Sequence, residues 1–112
     1  MEPSEERYHP VMVYVTCPDS ETADSLAQAL VDACEAACVN IVPGVKSYYR
    51  WENETQMDHE VLLLIKTQQT RLKELRNRVA EIHPDDTPEI VAVPIVDGSP
   101  EYLTWLVAET AV

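Results

Sequence analysis

Between residues 36 and 67 the chain reads AACVNIVPGVKSYYRWENETQMDHEVLLLIKT. The apolar and polar positions there predict two long strands joined by a polar, acidic tip. The first runs over 38–51. Pro43 and Gly44 interrupt it as a bulge or bend would, because proline cannot donate to a ladder and glycine tolerates unusual dihedrals. Beyond that kink Val45, Ser47, Tyr49 and Trp51 share one face, with Lys46, Tyr48 and Arg50 on the other. The return strand puts His59, Val61, Leu63 and Ile65 on one face and Glu60, Leu62, Leu64 and Lys66 on the other. Its centre is apolar on both sides, so both sides need covering.

The remaining pattern frames this hairpin. Residues 11–16 form a β-branched, apolar strand stopped by Pro18. Asp19 or Ser20 offers an N-cap, and Glu21 suits the first turn of the helix that follows. Ala23, Leu26, Ala27, Leu30, Val31, Cys34 and Ala37 recur at helical spacing and predict one apolar stripe. After Thr67, read as a cap, a second helix buries Leu72, Leu75, Val79 and Ile82. It ends at His83-Pro84, because the residue before proline is pushed out of the helical region. Residues 85–88 form a loop, 89–96 a strand apolar on both faces, and Asp97-Gly98 a turn. Ser99 as cap and Pro100 at the first helical position start a short terminal helix with Leu103, Trp105 and Leu106.

The order β-α-β-β-α-β plus a terminal helix is the split pattern of an α+β, ferredoxin-like sandwich. Right-handed crossovers put both main helices on one side of the sheet. The other side would be bare, yet residues 11–15, 61–65 and 90–96 are apolar at odd and even positions alike. Burying each such side chain is worth roughly 1.5–3 kcal/mol, and a wet sheet face of them exceeds the apolar patch a monomer carries. Self-association is therefore expected.

Composition narrows the partners. At 112 residues with 46% hydrophobic content, residues 10–112 make one domain able to bury a core, preceded by an acidic arm over 1–9. The net charge of −12 disfavours nucleic acid and anionic membranes as partners. Arg71, Lys73, Arg76 and Arg78 are half of the eight basic residues; with Glu74 and Glu81 they read as a solvated helix face. The first residues lack a basic region followed by an apolar one, so no secretory signal is expected. Three cysteines (Cys17, Cys34, Cys38) make an odd count without framework spacing, which fits a reducing cytoplasm.

Thr16-x-Pro18-Asp19, the run AACVNIVPGVKSYYRW at 36–51, Ile65-Lys66-Thr67, His83-Pro84 with Thr87-Pro88-Glu89-Ile90, and Tyr102-Leu103-x-Trp105-Leu106 together resemble the CutA, or divalent-cation-tolerance, family. The resemblance spans residues 11–108. It implies a ferredoxin-like subunit, a homotrimer held by extended hairpins, a link to tolerance of copper and other divalent metals, and structural similarity to PII signalling proteins, which bind small effectors between subunits. The chain departs from the family at several places. Asn53-Glu54 stands where Gly-Lys is usual, Cys34 where a basic residue is usual, Glu35 where leucine is usual, and Asp85 where many members have tyrosine. Some members proposed to bind copper have a cysteine at the position of Val15 and a histidine pair at the end of the second helix; here Cys17 lies two residues later and His83 stands alone.

The candidate chemistry follows. Cys38 is a soft-metal ligand or a small buried hydrophobe, and no Cys-x-x-Cys or paired His-Cys spacing supports a closed zinc site. His83 is a ligand or an ordinary helix-end residue favoured by the dipole. With the resemblance it becomes a weak intersubunit metal ligand beside Glu89, with Cys17 as the third donor. Lys66 and Trp51 match signature positions that imply a cleft between subunits, and Trp51 also fits a buried anchor of the trimer. Glu52, Glu54, Asp58 and Glu60 gather cations loosely or guard the strand edges. No nucleophile elbow, phosphate-cradling glycine loop or acid–base pair is present, so no enzyme is expected. The function that results is a cytoplasmic homotrimer of metal tolerance that holds copper or another divalent cation weakly. The alternatives are a PII-like sensor of a small effector and a trimeric scaffold.

Overall fold

The computed structural model describes residues 9–111, so the expected acidic arm lies outside it apart from His9. The elements are β1 (Pro10–Cys17), α1 (Ser20–Asp32), β2 (Cys38–Trp51), β3 (Glu54–Gln68), a 3-10 turn (Gln69–Arg71), α2 (Leu72–Ile82), β4 (Ile90–Pro94) and α3 (Pro100–Glu109). The sheet is antiparallel throughout, in the order β2-β3-β1-β4, the ferredoxin-like arrangement that the βαββαβ order predicts. Alternation decides which side is buried: Val11, Val13, Val15 and Cys17 of β1 and Val61, Leu63 and Ile65 of β3 pack against Ala23, Leu26 and Leu30 of α1 and Leu75 and Val79 of α2.

Local chemistry sets most boundaries. Asp19 caps α1, its Oδ1 accepting the Thr22 N–H at 2.7 Å, and these hydrogen bonds hold its carboxyl below the usual range. The expected stripe to Ala37 overshoots: α1 stops at Asp32, and Val31 and Cys34 are exposed. Cys34 takes the left-handed conformation (φ 58°). The Glu35 N–H then bonds back to the Leu30 carbonyl at 2.9 Å, and the Cys34 N–H to that of Val31 at 3.1 Å. This is a Schellman ending with cysteine where glycine is favoured. Cys34→Gly should therefore stabilise the chain by about 1 kcal/mol, read as a higher urea midpoint. No shift would mean that the left-handed turn carries no strain.

Thr67 is not a helix cap. β3 continues to Gln68, the buried Thr67 hydroxyl donates to the Glu35 carbonyl at 2.8 Å, and α2 is entered through the 3-10 turn without a side-chain cap. The basic face of α2 is not wholly solvated either. Arg78 makes two bonds, of 3.0 and 3.2 Å, to the buried carboxylate of Glu35. The last strand is shorter than the expected 89–96. It ends at Pro94, which lacks an N–H, and Ile95 adds one further bond to the Pro10 carbonyl. α3 starts as its sequence indicates, with Pro100 in the first turn and Ser99 Oγ accepting the Tyr102 N–H.

The second sheet face is not bare as the element order implies: α3 returns over one end of it. Leu106 is fully buried. The Gln68 amide donates to the Thr110 hydroxyl (2.8 Å) and the Val107 carbonyl (3.1 Å). Val91 and Val93 remain 49% and 36% exposed. The β2–β3 hairpin projects as an arm from this body. The described chain measures 48 × 28 × 23 Å, with a radius of gyration of 15.0 Å, above the roughly 13 Å of a compact chain of this size. The arm leaves Tyr48 70% and Trp51 61% exposed.

Candidate functional site

The root of the arm and the loop from α2 to β4 enclose an open cleft of about 750 Å³. Its walls follow from register. Past the bulge, Ser47 pairs with Asp58 and Val45 with Glu60, so these carboxylates share a face with Tyr49 and Trp51. The loop adds Asp85, Asp86 and Glu89 opposite, and Tyr48 and Thr16 also line the space. Five carboxylates and three aromatic rings thus border one space, and among the described residues no lysine or arginine lines it. The Tyr49 hydroxyl donates to Asp58 Oδ2 at 2.6 Å. That bond, before any other cause, raises the phenol above its usual range, and it orients Asp58. Carboxylate and phenol oxygens in an electronegative cleft suit a cation.

His83 sits beneath this cleft. Its side chain is wholly buried. Nδ1 accepts the Asp85 N–H at 3.1 Å and Nε2 lies 2.7 Å from the Thr16 carbonyl, which only an Nε2–H can satisfy. Both ring nitrogens are therefore engaged in tying β1 to the loop. Cys17 is also fully buried, among the core side chains. Burial, then the charges of Asp19, Glu60 and Asp85, push its thiol up from 9.0 to about 11. Thiolate, the form that binds metal, is disfavoured there at neutral pH. Glu89 and Trp51 do line the cleft. Cys38 and Lys66 lie toward the other end of the sheet, paired across β2 and β3 with Lys66 Nζ 3.9 Å from Cys38 Sγ. Among the described residues no three His, Cys, Asp or Glu side chains converge as a metal centre.

The raised Cys17 thiol has a consequence for pH. The folded state holds this proton more tightly than the unfolded chain does. The resulting stabilisation is complete below about pH 9 and is lost as pH rises toward 11. The loss should be roughly 2–3 kcal/mol. Comparing urea midpoints of the parent and Cys17→Ala from pH 8 to 11 isolates it, and parallel curves would refute the shift.

Asp58 and Glu60 are readable from the sequence as tip charges, but their partners Asp85 and Asp86 are not. Their only sequence signal is acidity in a loop of unknown course. The Tyr49–Asp58 pair is legible once the bulge fixes the register.

Residues 11–109 match the family model described as CutA1 divalent ion tolerance protein. The chain belongs to the CutA1 family. The divalent-cation tolerance protein CutA of Thermus thermophilus is 50% identical over 95 residues, covering 85% of this chain and 92% of the relative. The chloroplastic protein CutA of Arabidopsis thaliana is 47% identical over 106 residues, 95% of this chain but 58% of the relative. This CutA1 chain thus spans little more than half of the Arabidopsis protein's length. The solved structure of a divalent cation tolerance protein from Thermus thermophilus superposes with a TM-score of 0.90 at 48% identity, over 91% of this chain and 99% of that one. No helix among the described residues is long and apolar enough to cross a membrane.

Proposed function

We propose that this CutA1 chain serves divalent-cation tolerance as a homotrimer that binds a divalent cation weakly at the carboxylates of the cleft, with His83 and Cys17 as structural supports. The observation that carries this reading is the lining of five carboxylates with no basic residue among the described ones. Membership of a family described by divalent ion tolerance supports it. Oxygen donors favour hard divalent cations, and without thiolate or free imidazole copper is held weakly. Trp51, Tyr48, Val91 and Val93 supply apolar surface for assembly. The three free thiols fit a cytoplasmic setting. The role is binding, and we place no catalytic step in it.

Calorimetry with Cu²⁺ and Mn²⁺ tests the site. The double variant Asp58→Asn/Glu60→Gln should lower affinity about tenfold or more. Affinity retained there and lost in Cys17→Ser would return the site to the thiol. Light scattering tests assembly: a mass near three 12.6 kDa chains is expected, and a monomer overturns the trimer. The aromatic wall of Tyr48, Tyr49 and Trp51 also favours the effector reading; a melting shift with a small organic ligand and none with metal would select it.

A further inference from the structure

The Asp97-Gly98 pair joins β4 to α3, away from the cleft. The chain has two glycines; Gly44 follows a proline, and Gly98 follows an acid. Asp97 and Gly98 are both exposed, in a stretch that is neither helix nor strand. Among the described residues the Gly98 N–H meets no backbone carbonyl. It donates instead to Oδ1 of its own neighbour Asp97, at 2.9 Å. The carboxyl is thereby folded back onto the amide that follows it, with its carbon one bond beyond that oxygen. Holding reacting groups against each other in this way supplies much of the advantage of an intramolecular reaction. Glycine has no Cβ to shield the amide nitrogen. Gly98 is not in the left-handed region, so backbone geometry does not require glycine there. The other six aspartates precede larger residues. Of these, Asp24 and Asp32 lie within α1 and Asp58 within β3, and Asp19 is committed to the Thr22 N–H. The connection is also short. The Ile95 N–H bonds the Pro10 carbonyl at 3.0 Å, and the Ser99 carbonyl accepts the Leu103 N–H at 3.0 Å. Only residues 96–98 lie between these ties.

We propose that Asp97-Gly98 is a self-modifying site, where the chain closes a succinimide and reopens it as β-linked aspartate, loosening α3. The Gly98 nitrogen attacks the carbon of the Asp97 carboxylic acid. An N–C bond forms, the C–OH bond breaks, and the hydroxyl leaves with the amide proton as water. Water then opens the ring. Attack at the former side-chain carbonyl restores aspartate, and attack at the main-chain carbonyl leaves the peptide running through the side-chain carbon. The water lost is regained, and nothing is oxidised or reduced. The β-linked product carries one extra methylene in the backbone. With Ile95 tied to β1, the added length falls on the Ser99 cap and on Leu103, which a Cβ at Gly98 would meet at 3.4 Å. Both belong to the start of the helix that covers the second sheet face through Leu106 and the Gln68–Thr110 bond. This goes beyond the cation reading, because the pair shares no residue with the cleft.

Incubating the full chain at neutral pH and physiological temperature, then mapping peptides after enzymatic methylation of β-linked aspartate, tests this. Conversion should be found at Asp97 and at none of the other six aspartates. It should run at least as fast in the native protein as in concentrated urea. Asp97→Glu should abolish it, because closure would need a larger ring. Gly98→Ala, whose methyl would meet Leu103 at ordinary contact distance, should slow it several-fold. The converted form, separated by hydrophobic-interaction chromatography, should lose amide-exchange protection over 103–110, whereas Asp97→Glu incubated alongside should keep it. Slower conversion in the native chain than in urea overturns the proposal. So does conversion undiminished in Gly98→Ala, or α3 protection unchanged in the converted form.

Discussion

Leu63→Ala is expected to cost about 3–5 kcal/mol, the upper part of the range for truncating a buried leucine. Leu63 has no exposed surface. It sits on β3 between Val15 of β1 and Ile41 of β2, and the strands on both sides limit how far the site can collapse. Domains of this kind have only about 5–15 kcal/mol in all, so the variant should be close to unfolding. Urea denaturation at fixed protein concentration checks it, with a lower midpoint at an unchanged slope. Leu64→Ala, on the half-exposed face of the same strand, should cost less than half as much. Equal losses would mean that the two faces are equally packed.

His83→Ala should separate structure from ligation. It empties a buried site and strands two polar groups, the Thr16 carbonyl and the Asp85 N–H. An unsatisfied buried group costs about 1–3 kcal/mol, so a total near 2–4 kcal/mol is expected. Affinity for Cu²⁺ in calorimetry below the melting transition should stay within about threefold, whereas loss of a ligand commonly costs tenfold or more. A collapse of affinity with little change in the urea midpoint would make His83 a ligand and overturn the carboxylate site.

Much of the architecture was legible because it rests on local rules. The bulge, the helix stop at His83-Pro84, the Asp19 and Ser99 caps and the two-sided apolar strands each follow from neighbours within a few residues. What escaped depends on partners far away in sequence. Thr67 has the chemistry of a cap, but the carbonyl of Glu35, 32 residues earlier, claims its hydroxyl. The stripe of α1 runs on to Ala37 because Cys34 and Ala37 keep the helical spacing, although the helix ends at Asp32 and Cys34 turns left-handed. His83 looks like a free imidazole until Thr16, 67 residues away, takes one nitrogen. Neither the return of α3 over the sheet nor the meeting of Asp85 and Asp86 with the arm has a periodic signature. Both are set by tertiary packing.

The break at Pro43–Gly44 does more than bend a strand. Val42 pairs with Leu62, and Val45 with Glu60, so β2 advances three residues while β3 advances two. On the near side the even-numbered residues of β2 look toward α3; on the far side the odd-numbered ones take over that direction. The extra residue is a parity switch. Straightening the bulge with every residue kept, while the core half stays anchored, would turn the arm inside out: Tyr49 and Trp51 would trade places with Tyr48 and Arg50, and the cleft would gain a guanidinium where it now has an indole.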